Sequence, residues 1–274
     1  MANQMPIGIE IKVDKRMKYK TYIWIGSIIA VAILIAWCYL RSNPYNAASI
    51  GEIPLPRNYV RVEVSEGSFA AWLRNVPLKR RGSKVHLFYG NYANFQWLSA
   101  GVIDMPLLSN DEQCADVCMR LRAENLFECG EYDKIHFTAL DGKELIYTGG
   151  NDRKAFENYL RQVFSRCNTT SLYVSLPSRD IKDIQIGDMF IYPHRRSKGK
   201  SHYGHAVMVA DMAVNPRSGK KIFLLVEGNT PARDVHILRN FNPIDNPWFY
   251  LDEDAETMPF NVFRFTNKDL RYFD

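Results

Sequence analysis

Cys114 and His205 are the residues of this chain whose types and surroundings suit nucleophilic chemistry. Cys114 falls in Asp111-Glu112-Gln113-Cys114-Ala115-Asp116, a stretch that opens a helix-like run. In the first turn of a helix, the dipole and the unpaired N–H groups favour a thiolate. The Cys114 N–H is also available to an oxyanion, because first-turn N–H groups lack helical partners. His205 heads the β-rich run Gly204-His205-Ala206-Val207-Met208-Val209-Ala210-Asp211-Met212. Turn residues follow at Asn215–Gly219, and a second β-rich run returns over Ile222–Asn229. Two such runs joined by Pro and Gly predict a hairpin. A turn centred near residues 216–217 sets His205 opposite residues 227–229. Side chains alternate along strands, so His205, Val207 and Val209 share a face, as do Leu225, Glu227 and Asn229. Either Glu227 or Asn229 then orients the imidazole, and an oriented imidazole beside a thiol is the working pair of a cysteine hydrolase. The other face of the hairpin, with Met208, Ala210, Leu224 and Val226, is expected in the core.

Each residue also has a plainer reading. Cys114 lies on an apolar stripe with Val117, Cys118 and Leu121, and free cysteine is among the most buried residue types. His194 and His202 flank a basic loop that reads as a solvated lid, and His136 and His236 lie on predicted strands with core or surface roles. Cys114, Cys118, Cys129 and His136 offer soft metal ligands, but their spacing is not a common zinc pattern. No metal or other cofactor is assigned. The four cysteines beyond residue 41 allow three complete pairings; Cys129 with Cys167 would leave Cys114 free.

The elements that must position these residues are legible in outline. Tyr59–Val64 alternates like a strand, and Ser68 suits the cap of a short helix through Val76. Further strands are expected over residues 85–89 and 100–107. The best-marked helix runs from about Asp111 to Phe127, capped by Asn110 or Asp111. Asp116, Arg120 and Glu124 are spaced as a solvated ion-pair face. Arg122 lies on a mostly apolar side, where an arginine requires a partner, and it is assigned to substrate binding. Residues 135–140 and 144–148 predict a hairpin over Asp141-Gly142, residues 153–166 a helix, and residues 246–251 and 261–265 late strands. Helices precede an antiparallel β-rich half, so the fold class is α+β.

Residues 22–40 carry no charge, and about 20 apolar residues span a bilayer core. Tyr22, Trp24, Trp37 and Tyr39 flank the run, and Lys12, Lys15, Arg16, Lys18 and Lys20 precede it. The positive-inside rule then places the N-terminus in the cytoplasm and the rest outside. The expected organisation is a basic tail over 1–21, an uncleaved transmembrane anchor over 22–40, a Pro-containing linker over 41–56 and an extracytoplasmic domain over 57–274. Five of the 35 Lys and Arg lie in the tail, which leaves the domain almost neutral and gives no electrostatic argument for nucleic acid. With 46% hydrophobic residues the chain supports a large core, which excludes global disorder.

The order Gln113-Cys114 at a helix start, Gly187-Asp188 at a strand start, Gly204-His205 at the next, then Glu227-Gly228-Asn229, resembles the papain-like cysteine hydrolases, in particular the CHAP amidases of bacterial cell walls. That resemblance implies a papain-like α+β domain. Cys114 would be the nucleophile, His205 the general base and then acid, and Glu227 or Asn229 the orienter. The substrate would be a peptidoglycan peptide or another envelope amide. The long interval between Cys114 and His205 implies an insertion over residues 131–167. From about Ile53 onward the chain also resembles a family of uncharacterised membrane-anchored or lipoprotein-like proteins, mainly from Bacteroidetes. This likeness is carried by Gly67–Arg74, Gln113–Asp116, Met119–Glu124 and Gly204–Val207. It implies shared architecture without an assigned activity. The rival class is a non-catalytic envelope binding or scaffolding module on the same fold.

Overall fold

A computed structural model describes residues 15–39, 45–197, 200–242, 247–261 and 263–274. The chain divides into two compact units, Met1–Leu40 and Arg41–Asp274. In the first, α1 (Lys15–Tyr39) is a single helix whose residues 20–34 are exposed. Among the described residues no helix is long and apolar enough to cross a membrane. The expected anchor extends over the side chains of residues 35–39 and over Leu40, which lie outside the described residues, as do residues 1–14 of the expected tail.

The second unit is a mixed α+β domain. Its first half holds β1 (Val60–Arg61), α2 (Phe69–Asn75), β2 (Ser99–Val102), α3 (Cys114–Glu128), the hairpin β3 (His136–Thr138) and β4 (Glu144–Ile146), α4 (Arg153–Arg166) and α5 (Thr169–Ser175). The second half holds β5 (Met189–Tyr192), the small hairpin β6 (Arg195–Ser197) and β7 (Lys200–His202), β8 (His205–Val214), β9 (Lys221–Glu227), β10 (His236–Leu238) and β11 (Phe249–Tyr250). It ends with a third hairpin, β12 (Thr257–Phe260) and β13 (Phe263–Thr266), and with β14 (Leu270–Arg271). The main sheet runs β14-β5-β8-β9-β10-β2, with β1 added to β8 and β11 to β9, and every pairing in it is antiparallel.

The β8–β9 hairpin is the centre of the sheet, because its run of apolar residues is covered on both faces. Met208, Ala210, Leu224 and Val226 pack with Ala115, Val117, Cys118 and Met119 of α3. Val207, Val209 and Leu225 pack with Met258, Phe260 and Phe265 of the β12–β13 hairpin. The two faces therefore divide as the alternation predicts. A bulge lies between Val209 and Asp211, where the register slips by one residue. It places Asp211, fully buried, between Arg61 Nε and Arg74 Nε, each 2.7 Å away.

Three expectations are corrected. The linker over 41–56 is in part core: Ala47, Ile50 and Ile53 are buried, Ile50 N–H donates to Val76 O, and Trp248 Nε1 donates to Pro54 O at 2.8 Å. The segment makes a short 3-10 turn over Ile50–Glu52 and is tied to the domain. α3 starts three residues later than expected, at Cys114, with Gln113 as N-cap in place of Asn110 or Asp111. Its Asp116, Arg120 and Glu124 are also buried and not a solvated face. Arg120 instead meets Glu112 at 2.7 Å, Glu124 at 3.3 Å and the Pro106 carbonyl at 2.8 Å. Glu124 is bound further by Arg153 Nη2 at 2.8 Å. A helix surrounded by other elements must bury its ion pairs, and buried charges persist only when paired. The 153–166 helix and the hairpin over Asp141-Gly142 stand where expected, and α5 and β6–β7 were not foreseen.

Because Ile53 is fully buried against this core, Ile53→Ala should cost about 2–5 kcal/mol of unfolding free energy. Denaturant titration of the domain checks this; a true linker residue would leave the midpoint unchanged.

Candidate active site

The N-terminus of α3 meets the open ends of β8 and β9, and there the sheet presents His205 and Glu227 to Cys114. Gln113 caps the helix in extended conformation. Its N–H donates to Asp116 Oδ2 at 2.9 Å, which fixes the first turn. Cys114 is the first helical residue and only 7% exposed. Its sulfur is met by the His205 ring and by the N–H groups of Ala206 and Ala115. Burial pushes the thiol pKa up, but the His205 charge and these hydrogen bonds outweigh it and hold the thiol below its ordinary range. Burial raises the carboxyl pKa of nearby Asp116 well above the usual range.

His205 opens β8 opposite Tyr192 of β5 and is 4% exposed. Its Nε2 lies 2.9 Å from Glu227 Oε2, which leaves Nδ1 for the sulfur. By the β8–β9 register Glu227 lies diagonally across from His205 on the same face, a separation that a glutamate spans. Phe263 of β13 stacks on the imidazole, with centroids 3.7 Å apart and planes at 15°. It seals the His205–Glu227 hydrogen bond from that side. Burial alone would lower the His205 pKa, but the facing Cys114 and then Glu227 raise it to about 9. Glu227, 1% exposed, is pushed up by burial, yet His205 and His236 bring its pKa down to about 2. The arrangement sets the Cys114 sulfur, the His205 imidazole and the Glu227 carboxylate in a row.

Two glycines permit it. A Cβ on Gly204 would stand 2.1 Å from Thr169 Oγ1 and 2.7 Å from the Tyr192 carbonyl, closer than atoms can pack. A Cβ on Gly228 would stand 2.6 Å from Val117 Cγ2 and 3.0 Å from the Gln113 carbonyl. The Gly-His and Glu-Gly pairs of the sequence are thus what lets α3 and α5 close on the strand ends.

Residues 51–151 and 147–272 match the family model described as Domain of unknown function (4846). The chain belongs to this family. No curated protein and no solved structure matches the chain.

Of the residues singled out from sequence, the fold brings together Cys114, His205 and Glu227. Asn229 is not the orienter: its Oδ1 accepts the Thr230 N–H at 2.8 Å and closes the turn after β9. Arg122 is not brought to the site either. It lies eight residues, about 12 Å of helix, beyond Cys114. There it donates to the Asp274 carbonyl at 2.8 Å and covers the Phe69 ring at 5.3 Å. The partner its position demanded is Asp274. The four cysteines Cys114, Cys118, Cys129 and Cys167 are free, so the Cys129–Cys167 pairing is not formed. Among the described residues no group of three or more His, Cys, Asp or Glu could hold a metal. His136 is exposed beside Glu144. Two contributors were missed. His236 stands directly opposite Glu227 in the β9–β10 register, a signal that required the strand pairing. Phe263 reaches His205 from a separate hairpin, and no sequence spacing announces it.

His205 should remain protonated at neutral pH and titrate near 9, as followed by NMR of its ring protons. Its folded pKa lies above the ordinary value of about 6.5. Its contribution to stability is therefore full below that value and lost as pH rises through about 9. Cys114→Ala removes the partner that contributes most to the upward shift, so it should move the midpoint down.

Proposed function

We propose that the domain is a cysteine hydrolase of papain-like type that cleaves an amide in the cell envelope. The observation that carries this reading is the buried row Cys114–His205–Glu227, with the sulfur hydrogen-bonded to a ring whose other nitrogen is 2.9 Å from a carboxylate. In this reading the Cys114 thiolate attacks the amide carbon and the carbonyl π electrons move to oxygen. The Cys114 N–H, a first-turn donor without a helical acceptor, faces the developing oxyanion. His205 gives its Nδ1 proton to the departing amine, leaving a thioester. Water then yields a proton to His205 and adds to the thioester, which releases the acid and restores the thiolate. Glu227 keeps Nε2 protonated and the ring aligned, and Phe263 keeps water from that bond.

The cellular setting belongs to the same proposal. The uncharged run over 22–40 and the basic residues before it support an anchor with the N-terminus inside and the hydrolase outside. Peptide amides of the wall polymer are then the nearest substrates.

The test is incubation of the full chain with peptidoglycan and with isolated cross-linked wall peptides, reading new amino and carboxyl termini by mass spectrometry. Cleavage should fall by about a thousandfold or more in Cys114→Ala. The rate should decline on the alkaline side near pH 9, where His205 loses the proton it must donate. A Cys114 that neither cleaves these substrates nor reacts with thiol-directed reagents at neutral pH would leave a binding module in place of an enzyme.

A further inference from the structure

Glu227 has two oxygens, and the row above uses one. The other, Oε1, is buried and makes no aligned hydrogen bond of its own. What faces it is His236 Nε2 at 3.2 Å. His236 is 3% exposed, lies on β10 opposite Glu227, and has its Nδ1 3.0 Å from the Asp234 carbonyl. A carbonyl only accepts, so Nδ1 carries a proton; a carboxylate oxygen also only accepts, so a proton on Nε2 suits that side. A ring with both is an imidazolium.

We infer that His236 is a positioning residue of this site: as an imidazolium it faces the second oxygen of Glu227 at 3.2 Å, holds the carboxylate with its first oxygen toward His205, and neutralises the buried row. This inference rests on the cysteine-hydrolase reading of Cys114 and His205. The charge count supplies the reason. Thiolate, imidazolium and carboxylate sum to one negative charge in a buried space, where an unbalanced charge is strongly disfavoured. A second imidazolium brings the sum to zero. Without it, the cheapest neutralisation is a proton taken up by the sulfur. The low pKa of Glu227, to which His236 contributes, accords with this.

The other ionisable groups around the row do not substitute for it. From α3, Asp116 is a buried carboxyl with a raised pKa. Next to β10, Asp234 is taken up by Lys79 at 3.0 Å and His86 at 3.3 Å. Arg233 acts on Glu227 as a half-buried cation, with its Nε and Nη2 engaged by the Pro231 and Thr230 carbonyls.

The experiment is the pH dependence of Cys114 alkylation by iodoacetamide in the full chain, read on the Cys114 peptide by mass spectrometry. Wild type, His236→Leu and His236→Gln are compared, with thermal melting recorded for each. His236→Leu should raise the midpoint of thiolate formation by about one pH unit, a roughly tenfold slower reaction on the acid limb. His236→Gln, which keeps a donor at the Nε2 position, should recover part of that shift. A merely structural histidine would lower the melting temperature and leave the midpoint where it was; unchanged midpoints in both folded variants overturn the inference. A wild-type midpoint near that of free cysteine, about 8.5, overturns the hydrolase reading and this inference with it. Nitrogen NMR of the wild-type His236 ring needs no variant: protons on both nitrogens at neutral pH support the inference, and a ring protonated at Nδ1 alone overturns it.

Discussion

Charge held in a buried site is the constraint on which this domain depends. Cys114, His205 and Glu227 are all but inaccessible, so each charge persists only while its neighbour carries the opposite one. The carboxylate fixes one face of the imidazole, the imidazolium fixes the sulfur, and the first-turn N–H groups of α3 complete the shell. Losing His205 would leave two buried groups of like charge facing each other, which is costlier than never having built the row. The site is therefore coupled to the fold: the same contacts that tune the thiol also hold a helix terminus against two strand ends.

That coupling explains the architecture on either side. α3 is buried for most of its length, with core residues facing the sheet and a second charge cluster, the buried Glu112–Arg120–Glu124 joined by the exposed Arg153, facing α4 and the loop before α3. The cluster keeps a central helix of mixed composition in one orientation, and so keeps Cys114 at its place over β8. On the far face of the sheet, the β12–β13 hairpin contributes Phe260, Phe263 and Phe265 around Phe190 and His205. An aromatic wall there supplies dry surroundings for the imidazole without offering it a rival hydrogen-bond partner.

The segment between α3 and β5 illustrates how the long interval from Cys114 to His205 is filled. The β3–β4 hairpin and α4 form a subsidiary layer joined to α3 through Phe127, Tyr147 and Phe156. It adds core without entering the row. α5 does more: Thr169 closes on Gly204, so the chain immediately before His205 is pinned from the helical side.

Sequence by itself determined the local facts. Alternation along 205–212 and 222–229 divided the hairpin into two faces, and placed His205 and Glu227 on one of them. The i, i+3, i+4 spacing of Phe156, Tyr159, Leu160 and Val163 marked α4. Those patterns follow from backbone geometry, which acts over a few residues. The tertiary structure decided everything that depends on what lies across a gap. It buried Asp116, Arg120 and Glu124, because a charged stripe reads the same whether it meets water or the partners of a protein interior. It chose Glu227 over Asn229, because a register and a turn hydrogen bond separate them by only two residues. It sent Arg122 to the C-terminus and drew Ile50 and Ile53 into the core. It also set His236 behind Glu227 and Phe263 over His205, since strand order and hairpin packing join residues whose distance along the chain carries no trace of their contact.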